Sequence, residues 1–297
     1  MNLKQLTYLA ALHKTSSFTA AAKACGVSQS TLSGGIAALE ASLNATLVER
    51  DKQHVLFTPL GEGVVQRAAP MLAAAQDLQS FVDGGNQPMH GTLTLAAIPS
   101  IAPFVLAPFI LAVQKKYPAL KVLLREQQTE PLLQHLRDGT LDIGIIALPY
   151  DTAGLQVLPL YSESLMLLSS ASDVLAEVMQ PTLAQLDPER LILLQEGHCL
   201  REHTLQSCSF QERHTAAIEA SSLATLVQMV EAGLGVALLP AMAVRSRLVE
   251  PGIDGGTLVA REFAKPAPQR TIALVTRNTH SQQQAFAELA MVIKGLG

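Results

Sequence analysis

The spacing of apolar residues changes at His90-Gly91, and no other feature of this chain constrains its fold as much. Before that point apolar residues recur every three to four positions, the repeat of an amphipathic helix. After it, short apolar runs alternate with helical stretches, as strands alternate with helices. One chain must therefore join a small helical module to a larger α/β region.

The helical module begins with Leu3, Leu6, Leu9 and Leu12 on one helix face, and Phe18-Thr19-Ala20-Ala21-Ala22 starts a second helix. Cys25-Gly26-Val27 breaks it, as glycine does in a tight turn between helices. Ser28 is suited to cap a third helix from Gln29 to Leu43, with Leu32, Ile36, Leu39 and Leu43 facing inward and Asn44 closing it. Leu47-Val48 and Val55-Leu56-Phe57 flank a polar tip, Asp51-Lys52-Gln53-His54, which reads as a two-stranded wing. Helix, glycine turn, helix and wing together predict a winged helix-turn-helix over 1–58. In that motif the start of the second helix enters the major groove, so Ser28, Gln29, Ser30, Thr31 and Ser33 are the candidate base and phosphate readers. Arg50 and Lys52 on the wing are the expected phosphate contacts. The net charge of −4 hides a small basic excess in residues 1–60, five basic side chains against three acidic. So slight an excess predicts weak binding to DNA by one copy and stronger binding by several.

Residues 59–87 form a linker. A helix from Pro59 to Val82 carries Val64, Ala68, Leu72, Ala75, Leu78 and Phe81 on one stripe, and Asp83-Gly84-Gly85-Asn86-Gln87-Pro88 has the composition of a hinge. No neighbouring segment covers the stripe, which favours dimerisation. From 88 to 297 the expected strands are Thr92–Ile98, Val122–Arg125, Ile143–Leu148, Leu191–Leu194, Thr215–Ala220, Val236–Pro240, Leu258–Arg261 and Thr271–Thr276. Helices are expected over Ser100–Tyr117, Thr129–Asp138, Ser222–Ala232 and Ser281–Leu296, and residues 155–170 cross over. This alternation predicts mostly parallel sheets in two connected lobes with a cleft between them. Ligands bind beyond the carboxyl ends of such strands, where Ser100, Thr129 and His198-Cys199 fall. Ser100 and Thr129 are also placed to cap helices.

Two of the chain's three cysteines stand nine positions apart, in Glu196-Gly197-His198-Cys199-Leu200-Arg201 and Ser207-Cys208-Ser209-Phe210. Cys199 has His198 and Arg201 as neighbours in sequence, and nearby positive charge raises the thiolate fraction of a thiol. Cys208 is spaced to trap an oxidised Cys199. Free cysteines are commonly small buried hydrophobes, and the local sequence leaves that reading open. An odd cysteine number without an export signal points to a reducing, cytoplasmic setting. No apolar run reaches the ~20 residues a membrane helix needs.

The set Leu3-Lys4-Gln5-Leu6, Phe18-Thr19-Ala20-Ala21-Ala22, Ser28-Gln29-Ser30-Thr31-Leu32-Ser33, Ile36, Leu39-Glu40 and Leu56-Phe57-Thr58 with Gly61 resembles LysR-type transcriptional regulators. The resemblance extends over essentially the whole chain. Within that family the Glu-Gly-His-Cys-Leu-Arg setting of Cys199, with Cys208, is similar to the peroxide-sensing OxyR group. The resemblance implies an α/β protein with an N-terminal winged helix-turn-helix, a linker helix, and a two-lobed effector domain like that of periplasmic binding proteins. It further implies a tetramer, a dimer of dimers, on double-stranded promoter DNA. Such a regulator acts on RNA polymerase to activate antioxidant genes through a reversible Cys199–Cys208 disulfide. Glutaredoxin or thioredoxin resets it, and Ser100, Thr129, His198 and Arg201 form the peroxide pocket. Two positions depart from the pattern: Gly35 stands where glutamine is common, and Ser100 replaces a threonine.

Two other readings compete. A metabolite-responsive regulator of the same family would use the same cleft and have incidental cysteines. A thiol peroxidase would turn over at Cys199, but the DNA module and the lack of a CxxC motif argue against an enzyme. His198, Cys199, His203 and Cys208 could hold zinc only by giving up redox chemistry, so no metal or other cofactor is expected.

Overall fold

The computed structural model describes residues 1–50, 55–84, 91–208, 218–278 and 283–295. Two compact units emerge, one built essentially on residues 1–85 and the other on the α/β region.

In the first unit, α1 (Leu3–Thr15) is capped by Asn2, whose side chain accepts from the Gln5 N–H. The second helix, α2 (Phe18–Ala24), is capped by Ser17. The chain then turns through Gly26 at φ +64°, a conformation that favours glycine. The third, α3 (Gln29–Leu43), begins at Ser28, whose hydroxyl accepts from the Thr31 N–H at 3.1 Å. It ends at Asn44 in the left-handed region (φ 47°). Leu6, Leu9, Leu12, Leu32, Ile36 and Leu39 form the core, whereas Leu43, expected to face inward, is exposed. A Cβ on Gly35 would lie 2.6 Å from the Tyr8 ring, so this departure from the family pattern lets α1 and α3 pack closely. The wing is β1 (Val48–Arg50) paired antiparallel with β2 (Val55–Phe57). Its tip, including Lys52, lies outside the described residues, as does the Arg50 side chain.

The linker helix α4 (Pro59–Gly84) starts by packing Val64, Val65, Ala68 and Leu72 on this core. Farther along, Leu78 and Val82 are exposed. Of the expected stripe, Val64, Ala68 and Leu72 are thus covered and Leu78 is exposed, and residues 85–88 of the expected hinge lie outside the described residues.

The second unit contains β3 (Gly91–Ala97), α5 (Ala102–Lys116), β4 (Leu120–Glu126), α6 (Thr129–Arg137), β5 (Ile143–Leu148) and the long β6 (Leu155–Ser170). After these come β7 (Leu193–Leu194), α7 (Cys199–Ser207), β8 (Glu219–Ala220), α8 (Leu223–Glu231), β9 (Ala237–Pro240) and the short helices α9 (Ala241–Val244) and α10 (Glu250–Asp254). The chain closes with β10 (Leu258–Glu262), β11 (Gln269–Arg277) and α11 (Gln283–Lys294). The main sheet runs β10-β6-β11-β5-β3-β4, with β9 also on β6. Only β3/β4 and β3/β5 pair parallel in it; β6 and β11 run antiparallel to each other and to their other partners. The expectation of mostly parallel sheets is therefore corrected. The strands that cross between lobes must enter one and return through the other, which reverses their direction. The part of the expected strand Thr215–Ala220 before Ile218 falls outside the described residues.

Two hydrophobic cores flank these crossing strands. One centres on Leu95, Ile98, Phe109, Leu133 and Ile145, the other on Leu167, Leu193, Val227 and Leu238. Phe104 packs against both. Among the described residues no helix is long and apolar enough to cross a membrane.

Candidate functional site

The site assembles where α7 begins. Gly197, at φ +87° where glycine is favoured and with Gln128 Oε1 only 2.7 Å from where a Cβ would stand, turns the chain into His198 and then Cys199. Cys199 is the first residue of α7, 3% exposed, and belongs to the first core. Position one of a helix places a thiol near the positive end of the backbone dipole.

A buried arginine that sequence reasoning missed organises the pocket. Arg270 on β11 is the Cα partner of Glu163 on β6, and its Nε and Nη2 donate to Glu163 Oε2 at 3.0 and 2.9 Å. Its Nη1 donates to Ser100 Oγ at 2.7 Å and its Nη2 to the Ser100 carbonyl at 3.2 Å. Glu163 Oε1 accepts from the Met242 N–H at 2.7 Å. Each group in this buried network is thereby paired, which a charge removed from water requires. A cross-strand ion pair was the available signal, but Arg270 and Glu163 are 107 positions apart and only the register joins them.

Ser100 therefore does not cap α5. Ile101 occupies that position without a side-chain bond, and the Ser100 hydroxyl is held by Arg270. Thr129 does not precede α6 but is its first residue; its hydroxyl is buried and has no conventional hydrogen-bond partner. Both hydroxyls approach the Cys199 thiol and, with the Arg270 charge, favour its thiolate. Sulfur is a weak acceptor, so the Thr129 hydroxyl remains largely available.

Burial nevertheless outweighs these groups and pushes the Cys199 thiol above its ordinary value. The sequence reading of a thiol activated by His198 and Arg201 is corrected on this point. Burial pushes His198 down, against the pull of Glu202 and Glu126, so its ring is neutral near pH 7. Arg201 donates to the Leu194 carbonyl at 3.0 Å and pairs with Glu219 at 2.7 Å. Residues two apart on a helix face different ways, so Arg201 ties α7 to β7 and β8 while Cys199 meets the other lobe.

Cys208 caps the far end of α7, half-buried against the second core, and burial pushes its thiol to about 11. All three cysteines are free. With nine intervening rises of ~1.5 Å, the two Cα atoms stand ~13 Å apart. A disulfide needs ~4.4–6.8 Å, so α7 must unwind before they join. A helix this short has little stability of its own, which makes the packing of Cys199, Leu200, Arg201 and Thr204 decisive. The segment 209–217 lies outside the described residues. Among the described residues no group of histidine, cysteine, aspartate and glutamate is arranged to hold a metal.

At the other end of the chain, Ser28, Gln29, Ser30 and Thr31 are exposed at the start of α3, and Ser33 is half-buried. Ser28 Oγ also contacts the hydroxyls of Ser30 (2.9 Å) and Thr31 (2.7 Å), so these three groups are partly occupied with one another. Gln29 is held only through its Oε1, which accepts from Thr19 Oγ1 at 3.3 Å, and its amide nitrogen is left for a base edge. Gln29→Ala is expected to cost about 1–3 kcal/mol of discrimination between specific and random DNA, measured in salt-titrated binding assays.

Residues 86–295 match the family described as LysR substrate binding domain, and residues 3–62 match the bacterial regulatory helix-turn-helix proteins of the lysR family. Among curated proteins the chain is 43% identical to the HTH-type transcriptional regulator EstR of Acinetobacter baylyi, covering 99% of this chain and 96% of that one. It is 39% identical to a probable hydrogen peroxide-inducible genes activator of Streptomyces viridosporus, over 99% of this chain and 93% of that one. Among solved structures, the full-length OxyR C199D variant from Pseudomonas aeruginosa is similar with a TM-score of 0.82 at 35% identity, covering 99% of this chain and 95% of that one.

Proposed function

Taking as premise that this chain belongs to the LysR family of bacterial helix-turn-helix regulators, we propose that it senses hydrogen peroxide at Cys199 and switches transcription through a Cys199–Cys208 disulfide. The observation that carries this reading is the buried Cys199 thiol beside the Ser100 and Thr129 hydroxyls and the Arg270 guanidinium. Two hydroxyls and a cation suit a molecule with two oxygens and a transition state that releases hydroxide.

In the first step the Cys199 thiolate attacks one peroxide oxygen. The O–O bond breaks, hydroxide leaves, and sulfur is oxidised to sulfenic acid. In the second, the Cys208 sulfur displaces that hydroxyl, the S–S bond forms, and water leaves with the Cys208 proton. A dithiol reductant of the glutaredoxin or thioredoxin class then returns both thiols. Since the chemistry happens once per switching event, the protein acts as a regulator and not as an enzyme. Unwinding α7 would release the Arg201–Glu219 tie and alter contacts between copies. Assembly through the exposed half of α4 into dimers, and of dimers into a tetramer, would carry that change to promoter DNA and RNA polymerase in the cytoplasm.

The similarity to EstR, a transcriptional regulator whose name makes no mention of peroxide, leaves the metabolite-responsive reading as the alternative. Peptide mass spectrometry after one equivalent of peroxide separates the two. A Cys199–Cys208 linked peptide is expected, and its absence with both thiols intact would remove the sensor reading.

The hydroxyls give a second test. Thr129→Ala removes a hydroxyl without a conventional partner and should leave stability nearly unchanged. Ser100→Ala strands a buried Arg270 donor and should cost about 1–3 kcal/mol. Both should slow Cys199 oxidation about tenfold in stopped-flow measurements, a loss of ~1.4 kcal/mol in the transition state. Wild-type rates in both variants would leave the two hydroxyls without a role in binding peroxide.

A further inference from the structure

His203 takes no part in the peroxide reaction, yet it is buried near the middle of α7, only 4% exposed. It follows Cys199 by four residues, so the two share a helix face and meet the same lobe. Its Nε2 lies 3.3 Å from the carbonyl of Pro149, the second residue after Ala147 at the end of β5. A carbonyl only accepts, so Nε2 carries the ring proton and Nδ1 is a bare acceptor. That Nδ1 is buried without a hydrogen-bond partner among the described residues.

A proton added to Nδ1 would become a buried donor with no acceptor, on a ring that feels the Arg270 charge from β11. Burial pushes the ring below its ordinary value; the Pro149 carbonyl pulls it back, and Arg270 adds to the fall. No described carboxylate offsets this. Glu163 on β6 is committed to Arg270 and the Met242 N–H, and Glu202, next along α7, acts on His198 and Tyr150. The reduced pocket therefore favours the neutral ring. Disulfide closure must bring the ends of α7 from ~13 Å to within ~6.8 Å, and His203 between them cannot then keep its helical place against Pro149.

We propose that His203 is a proton latch on the redox switch: it leaves its pocket when Cys199 and Cys208 join, takes up a proton in solvent, and must give that proton up before α7 can re-form. It rests on the disulfide switch proposed for this protein and adds what regulates it. Oxidation of the two thiols releases two electrons, accepted by peroxide, and two protons. Below the ordinary histidine value of ~6.5 the freed ring takes one proton back, so acid shifts the equilibrium toward the disulfide. Acid thus slows oxidation, through the thiolate fraction, but holds the disulfide once it is made.

Equilibration of the full-length protein with reduced and oxidised glutathione and catalytic glutaredoxin, from pH ~7.5 to ~5.5, tests the latch, with thiols counted by alkylation and mass spectrometry. Exchange between two thiol–disulfide couples releases no net proton below the thiol values. Only groups that titrate differently in the two forms then make its constant depend on pH. The wild-type constant should rise about three- to tenfold toward the disulfide as pH falls, the upper figure being that of one ring released to a value of ~6.5. His203→Gln and His203→Leu should lose most of the rise, and whatever His198 adds remains in them. In the wild type itself, His203 should resist diethylpyrocarbonate when reduced and react about tenfold faster or more in the disulfide form, because a buried ring reacts only through local opening. A flat wild-type constant, an equal rise in either folded variant, or a protected His203 in the disulfide form would overturn the latch and leave the sensor reading standing. Absence of a Cys199–Cys208 disulfide at every pH would overturn both.

Discussion

Cys199→Ser should abolish every peroxide-dependent change in transcription and in thiol state, because no other thiol lies beside Arg270 and the two hydroxyls. Cys208→Ser should behave differently. Its Cys199 still meets peroxide, so a sulfenic acid forms and persists, open to trapping by a sulfenic-acid reagent and mass spectrometry. Transcription in a peroxide-treated reporter strain checks the first variant, and a normal response there would defeat the sensor reading. The rate should also depend steeply on pH. Burial holds the Cys199 thiol above its ordinary value, so only a small thiolate fraction exists at neutral pH, and it grows about tenfold per pH unit. Oxidation should therefore accelerate from pH 6 through pH 8 and continue beyond the usual thiol value of ~8.5. The linked stability has the opposite slope. A folded-state value raised above the unfolded one stabilises the reduced fold below the ordinary thiol pKa. That contribution fades as pH rises through the folded value. Burial pushes Cys208 in the same direction and adds to the effect.

Arg270→Met should be the most damaging substitution for stability. The guanidinium is fully buried and its partner Glu163 nearly so. Removing one member of a buried pair leaves an uncompensated charge, at a cost of about 3–5 kcal/mol. It also removes the cation that favours the Cys199 thiolate, so oxidation at neutral pH should slow about tenfold or more. The double variant Arg270→Met/Glu163→Met divides these roles. Two apolar side chains of similar volume should restore most of the stability, measured by chemical denaturation, and none of the rate. If the double variant recovered the peroxide rate too, Arg270 would be a structural residue alone.

Much of this architecture is written locally. Gly26 at positive φ, Ser28 at the start of α3 and Asn44 at its end sit where their backbone chemistry requires them. Each acts on residues within one or two turns, so a single sequence suffices to find it. Strand direction is not local: β11 is evident as an apolar run and β6 as a crossing segment, but their antiparallel course depends on which lobe each one enters.

The residues around the thiol divide the same way. Adjacency in sequence put His198 and Arg201 beside Cys199, yet burial neutralises the first, and helix geometry turns the second toward Glu219. Thr129 and Ser100 were found because they follow strand ends, a local mark, although the capping expected of them was wrong. Arg270 and Glu163 carry no local mark at all. What makes them a pair is the register of two crossing strands, and what makes the pair matter is exclusion of water from both charges. The caps of α3 and the turn at Gly26 were determined by neighbours along the chain. Sheet direction and the charge balance at the thiol were decided only when distant segments met.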